Sequence, residues 1–162
     1  MNEVILLTGG NLGDRMQFLQ NAKKAIEDKV GSVIQSSPII KSKAWGFDSI
    51  DYFLNQVLIV KTSLNAIEVL DNIQEIERKL GRIRKSEQWV SRLIDIDILF
   101  YNNEILISER LTIPHKHIQN RRFTLFGLNF IAPKYIHPQL NKTIHQLLMN
   151  CTDNLKVEVY HV

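Results

Sequence analysis

The order of elements along the chain, βαββαβ followed by C-terminal additions, predicts an α+β fold of ferredoxin-like type, with an antiparallel-rich sheet covered by helices. Two amphipathic helical stripes, each set between apolar strand-like runs, are the observations that predict it. Val4 to Leu7 reads as a buried strand that ends at Thr8-Gly9-Gly10. Asp14 is placed to cap a helix running to about Lys29, because Phe18, Leu19, Ala22, Ala25 and Ile26 recur on one stripe. Ser32 to Lys41 and Phe53 to Thr62 read as the next two strands, joined by a loop of mixed polarity over Ser42 to Asp51. Ser63 is expected to cap the second helix, in which Ala66, Val69, Leu70, Ile73, Ile76 and Leu80 share a face and Gly81 supplies the C-terminal glycine. A basic polar loop is expected to about Ser91, then a strand from Arg92 to Tyr101, then a hairpin turn at Asn102-Asn103 into Glu104 to Ile107. The tail carries Pro114, Pro133 and Pro138 in irregular structure, a helix near Thr143 to Met149 and a last strand near Lys156 to Tyr160.

A length of 162 residues suits a single domain spanning 1–162 and is enough to bury a core without cross-links. Cys151 is the only cysteine, so no internal disulfide and no paired-cysteine metal clip is available within the chain. No stretch approaches the ~20 apolar residues that span a bilayer, and Met1-Asn2-Glu3 lacks the basic start of a signal peptide, so a cytoplasmic protein with no membrane partner is expected. The formal charge of +3 is unevenly spread. Arg78, Lys79, Arg82, Arg84, Lys85 and Arg92 crowd positions 78–92, which favours an anionic partner: a nucleotide, a nucleic acid or an acidic metabolite.

The sharpest chemical signal is Arg92-Leu93-Ile94-Asp95-Ile96-Asp97-Ile98-Leu99-Phe100. Side chains alternate across a strand, so Ile94, Ile96, Ile98 and Phe100 are expected on one apolar face and Asp95 and Asp97 side by side on the other. Two carboxylates so placed repel unless a cation lies between them, and Mg²⁺ takes one or two protein carboxylates together with substrate phosphates. A bare pair of this kind also occurs on solvated strand faces. The nearby arginines tip the balance, because Arg82, Arg84 and Arg92 offer planar donors that match phosphate oxygens. Metal-assisted phosphoryl-type transfer from ATP is the expected chemistry. Trp89 is either a stacking residue for a flat ring or a loop anchor in the core. His115 and His117 lack the further ligands of a zinc site, and a lone histidine is more often structural. The glycines of Thr8-Gly9-Gly10-Asn11-Leu12-Gly13-Asp14 match neither phosphate-loop fingerprint and suffice for a tight turn, which leaves Asn11 facing a ligand as an open reading. A ferredoxin-like RNA-binding module is disfavoured, because Phe53 to Val60 does not supply the aromatic segment of such modules.

Taken in order, Gly9-Gly10-Asn11-Leu12-Gly13, Asp51-Tyr52-Phe53-Leu54-Asn55, Glu77 with Gly81-Arg82-Ile83-Arg84, Trp89 with Arg92-x-x-Asp95-Ile96-Asp97, Glu109-Arg110-Leu111-Thr112-Ile113-Pro114-His115, Arg121-x-Phe123 and Ile131-Ala132-Pro133 resemble the 6-hydroxymethyl-7,8-dihydropterin pyrophosphokinase family of folate biosynthesis over nearly the whole chain. The resemblance implies transfer of pyrophosphate from Mg-ATP to the pterin hydroxymethyl group, with release of AMP. It implies two Mg²⁺ ions on Asp95 and Asp97, with Asp97 orienting or deprotonating the hydroxyl and Arg82 and Arg92 contacting the phosphates. Gln74, Glu77, Arg84, Trp89, Ile98, Arg110, Thr112, His115 and Arg121 would lie around ATP. Asn11, Trp45, Gly46, Phe53, Asn55 and Phe123 would form the pterin site, with Phe53 and Phe123 sandwiching the heterocycle. The chain departs from the family's usual pattern at Ser42-Lys43-Ala44, Val90-Ser91, Lys116, Gly127 and Asn129. The partners so implied are the two small-molecule substrates, without nucleic acid, and a monomer is expected.

Overall fold

The computed structural model describes residues 1–43, 52–85, 89–92 and 94–161, with the backbone alone over 82–85 and 89–92. The central strand β1 (Asn2–Gly10) lies antiparallel between β4 (Tyr52–Thr62) and β7 (Asp95–Tyr101). On the far side of β4 run β3 (Ile40–Lys43) and then β10 (Val157–Val159), while β2 (Ser32–Ser36) pairs with the other end of β4. With β2 and β3 counted as one interrupted strand, the four core strands stand in the order 4-1-3-2 of the ferredoxin-like fold.

The interruption has a local cause. The expected strand over 32–41 breaks at Ser37-Pro38, because proline has no N–H to give to the ladder. Ser37 closes the gap: its N–H donates to the Val57 carbonyl at 2.9 Å, and its hydroxyl accepts the Val57 N–H at 2.9 Å.

Helix α1 (Arg15–Lys29) starts where expected, with the Asp14 carboxylate accepting the Gln17 N–H at 3.1 Å. Helix α2 (Ala66–Leu80) does not start on Ser63 as expected. Its cap is Asn65, whose side chain accepts the Glu68 N–H at 2.9 Å while Glu68 accepts the Asn65 N–H at 3.0 Å. Gly81 ends the helix at φ 151°, a conformation open to glycine at little cost. Both helices cover one face of the sheet, burying Leu19, Ala22, Ile26, Val69 and Ile73 against Val4, Leu6, Leu54, Leu58, Ile96 and Ile98. Each fully buried Leu or Ile contributes about 1.5–3 kcal/mol.

The opposite face is covered by α3 (Arg122–Ile131) and α4 (Ile144–Met149), which pack with Ile5, Leu7, Val57, Ile59, Leu99 and Phe100. The sheet is therefore sandwiched. Helix α3 was not expected from the sequence, since Phe123, Phe126, Phe130 and Gly127 are poor helix formers. Tertiary packing overrides that propensity, and Gly127 is needed there because a Cβ would come within 2.9 Å of Val57 Cγ2.

Three further expectations are corrected. The stretch from Arg82 is not a loop but a hairpin, β5 (Arg82–Lys85) with β6 (Trp89–Arg92), so the expected strand over 92–101 is divided between β6 and β7. Phe100 does not share the face of Ile96 and Ile98: a register shift in the β1–β7 ladder opposes Ile5 to Phe100 and Leu6 to Ile98, which turns Phe100 toward α3 and α4. The turn at Asn102, at φ 49°, closes onto the start of β1 through Asn102 Oδ1 and the Glu3 N–H at 2.9 Å. The segment after it, β8 (Leu106–Ile107), pairs with β9 (Thr112–Ile113) and not with β7.

Replacing Asn65 by alanine should cost about 1 kcal/mol in urea unfolding, the usual value of a helix cap, whereas Ser63→Ala should change stability by less than about 0.5 kcal/mol. Equal effects of the two substitutions would contradict the assigned helix start.

Candidate functional site

The burial of Ile94, Ile96 and Ile98 beneath α1 and α2 leaves Asp95 and Asp97 no choice of direction. They stand on the α3 face, partly exposed, at the end of the sheet where β7 begins. Their cross-strand partners on β1 are Gly9 and Leu7 respectively, and Gly9 in turn faces Asn55 on β4. Asp95, Gly9 and Asn55 thus form one row across three strands, with the outer two about 10 Å apart by strand spacing.

Gly9 is what lets the Asn55 side chain reach into this row. A Cβ on Gly9 would lie 2.0 Å from Asn55 Nδ2, so the amide of Asn55 fills the space that any other residue would occupy. Asn55 is 7% exposed and donates from Nδ2 to the Thr8 carbonyl at 3.3 Å, which fixes the plane of its amide. Phe53 lies two residues away on the same strand face, and Phe123 packs against the α3-side core from the first turn of α3. Asn11 follows directly on the end of β1 and is half-buried. This end of the sheet therefore carries an acidic pair, a fixed amide and Phe53 on one face.

Helix α2 secures the acidic side. Glu77, 8% exposed, accepts the Ile96 N–H on Oε2 at 3.0 Å, so a buried carboxylate grips the backbone between the two aspartates. Its expected place beside a nucleotide is thus joined to a structural duty that spacing along the sequence did not show. Ile98 is 4% exposed and sits in the core beneath α1 and α2. Arg110 lies further out, with Nη2 2.6 Å from Asp71 Oδ1 and 3.3 Å from Gln74 Oε1, linking the segment before β9 to the outer side of α2. Thr112 is exposed on β9.

His115 follows the cis Ile113-Pro114 bond, and its N–H donates to the Leu99 carbonyl of β7 at 3.0 Å. Its Nδ1 accepts the His117 N–H at 3.1 Å, which places the proton of the neutral ring on Nε2. Burial lowers the His115 pKa to about 4, helped by the positive charge of Arg121 and opposed by Asp95. His115, Arg121 and Asp95 therefore share one electrostatic environment, whereas the rest of the expected nucleotide set is spread along β9 and α2. Arg82 and Arg92 oppose one another in the register of β5 and β6, as do Lys85 and Trp89, and Arg84 lies between them on β5. Trp45 and Gly46 lie outside the described residues. Among the described residues, no three His, Cys, Asp or Glu side chains gather as a metal cluster, and no helix is long and apolar enough to cross a membrane.

The family model described as 7,8-dihydro-6-hydroxymethylpterin-pyrophosphokinase (HPPK) matches residues 5–133. The chain is 37% identical over 146 residues to the 2-amino-4-hydroxy-6-hydroxymethyldihydropteridine pyrophosphokinase of Aquifex aeolicus, covering 90% of each protein. It is 39% identical over 147 residues to the protein of that name from Synechocystis, covering 89% of this chain and 74% of the relative. Among solved structures, the HPPK-DHPS protein of Plasmodium falciparum crystallised with SDX-DHP superposes at a TM-score of 0.72 and 21% identity, over 92% of this chain. This chain spans 43% of the length of that structure, and the likeness carries the fold alone.

A histidine whose pKa is lower in the folded chain than in the unfolded one binds its proton first in the unfolded state. The stability contributed by neutral His115 is thus complete above pH 6.5 and is lost as the pH falls toward 4. His115→Gln should flatten the fall in melting temperature between those values. A variant with the wild-type acid slope would show that the loss arises elsewhere.

Proposed function

The chain belongs to the 7,8-dihydro-6-hydroxymethylpterin-pyrophosphokinase family, and from that premise we propose that it transfers pyrophosphate from Mg-ATP to the hydroxymethyl group of 6-hydroxymethyl-7,8-dihydropterin, giving the pterin diphosphate and AMP. The single observation that carries the reading is the row Asp95–Gly9–Asn55, in which an acidic pair and a fixed amide face the same space across a residue without a side chain.

Asn55 recognises the heterocycle. One of its N–H groups is given to Thr8, which leaves the second N–H and Oδ1 to meet the alternating donors and acceptors of a pterin edge. Phe53 and Phe123 enclose the ring, with Asn11, Trp45 and Gly46 bordering the pocket. Offset stacking of flat rings adds about 0.5–1.5 kcal/mol beyond area burial.

The donor set suits Mg²⁺. Asp95 and Asp97 offer hard oxygen ligands from a rigid strand, and this ion needs only one or two carboxylates when phosphates supply the rest. Two bound ions would offset the charge of the triphosphate. The pterin hydroxyl attacks the β-phosphorus in line, forming the new O–P bond as the bond from β-phosphorus to the α,β-bridging oxygen breaks and AMP leaves. Asp97 orients the hydroxyl and takes its proton. Arg82 and Arg92 bind the phosphates, and the hairpin that carries them brings these donors to charge that grows in the transition state. Neutral His115 donates from Nε2, and Arg121 adds a positive charge beside it. Gln74, Glu77, Arg84, Trp89, Ile98, Arg110 and Thr112 complete the nucleotide side. In this reading the chain acts as one domain and as a monomer.

Incubation with Mg-ATP should release AMP only when the pterin is present, and Asp97→Ala should lower turnover by at least about 10²-fold with the fold intact. ADP as the product would refute pyrophosphoryl transfer. Gly9→Ala should displace the Asn55 amide and raise KM for the pterin at least about tenfold, with a smaller effect on ATP. Equal changes in both KM values would place Asn55 elsewhere in the reaction.

A further inference from the structure

Helix α3 begins without a cap of its own. Its N-cap residue, Arg121, makes no side-chain hydrogen bond to the first turn, and the early N–H groups of a helix need acceptors. The acceptor comes from far along the chain: Asp153 Oδ2 takes the Arg122 N–H at 3.0 Å. A carboxylate at this end is also favoured by the helix dipole. The Arg122 side chain answers it, donating from Nε to the Asp153 carbonyl at 2.7 Å and from Nη2 to the Cys151 carbonyl at 2.9 Å. The second carboxylate oxygen of Asp153 accepts the Leu155 N–H at 3.0 Å, just before the chain enters β10 and pairs with β3.

Arg122 stands between Arg121 and Phe123, which the reading above assigns to the nucleotide and to the pterin. Arg121 is the extended N-cap residue and Phe123 belongs to the first turn, so a clamp on Arg122 between them fixes the backbone that carries both. We propose that Arg122 and Asp153 are positioning residues: their reciprocal hydrogen bonds hold the first turn of α3 so that Arg121 and Phe123 are placed for both substrates at once. The inference rests on the proposed function and goes beyond it, because neither Arg122 nor Asp153 touches a substrate in that reading. Without the clamp the turn frays, and both ligands lose a contact through one backbone movement.

Steady-state kinetics with Mg-ATP and 6-hydroxymethyl-7,8-dihydropterin, run on the full chain, test this. Arg122→Ala keeps the Asp153 cap on the backbone, so the helix persists, while the two guanidinium bonds are lost. It should raise both KM values about fivefold to tenfold with kcat changed less than about threefold, and Arg122→Lys should recover part of the loss. Amide hydrogen exchange should quicken over residues 122–125 in the alanine variant. Thr143→Ala, which removes the α4 cap on the same face of the sheet, supplies a control of comparable instability and should leave both KM values unchanged. The clamp is refuted if wild type turns over and Arg122→Ala keeps both KM values, or if Thr143→Ala raises them equally. A wild-type chain that releases no AMP and binds neither ligand would instead remove the function on which the clamp depends.

Discussion

Burial of Ile94, Ile96 and Ile98 beneath α1 and α2 is the constraint on which the rest depends. Because strand side chains alternate, this burial fixes the register of β7 on β1 and sends Asp95 and Asp97 to the other face. A slip of one residue would put both carboxylates in the core, where an unpaired charge costs several kcal/mol, and three isoleucines in solvent. The apolar side of the strand therefore does the selecting, and the acidic side inherits its position. Glu77 fastens the same backbone from α2 through the Ile96 N–H.

The two faces of the sheet divide the labour. The α1/α2 face is core along its whole length, whereas the α3/α4 face is core only where Ile5, Leu7, Val57 and Leu99 meet the helices. Asp97 stands directly opposite Leu7, and the next row outward on this face is Asp95, Gly9 and Asn55. The candidate site is the end of the second core, where polar residues take over the positions that apolar ones hold a few ångströms further in. Helix α3 packs on that second core, with Arg121 at its N-cap and Phe123 in its first turn against the core.

Much of the fold was legible in the sequence, and the failures divide into long-range and local ones. The Ile/Asp alternation, the Asp14 cap and the ferredoxin-like strand order follow from local rules of period and capping. The turn of Phe100 to the second face and helix α3 depend on contacts between distant segments, whereas the Ser37-Pro38 break is local and follows from the missing proline N–H. The break is hidden in the sequence because the apolar pairs Val33-Ile34 and Ile39-Ile40 read as one strand across Gln35-Ser36-Ser37-Pro38. The Phe100 reversal comes from a register shift opposite Ile5 and Leu6, which no pattern within β7 reveals. Helix α3 stands on tertiary packing around Gly127, with its start capped by Asp153. Asn65 outcompeted Ser63 because only Asn65 has Glu68 three residues on to complete the reciprocal cap. The spacing of Asp95, Asp97 and the arginines pointed to metal-assisted phosphoryl-type transfer, and the family was legible in the resemblance of the ordered motifs; the place of Gly9 was not readable, because its meaning lies in where Asn55 sits.

The Glu77–Ile96 contact also bears on how the molecule behaves among its neighbours. Among the described residues β7 is the last strand on its side of the main sheet, and such a margin is a template on which another chain can add a strand. Here the Ile96 N–H is already held by a carboxylate and the Leu99 carbonyl by the His115 N–H. An incoming strand would have to displace both, and would meet the charges of Asp95 and Asp97 beside them. The same contacts that steady the acidic pair thus discourage edge-to-edge aggregation at the margin where β7 would otherwise be most open to it.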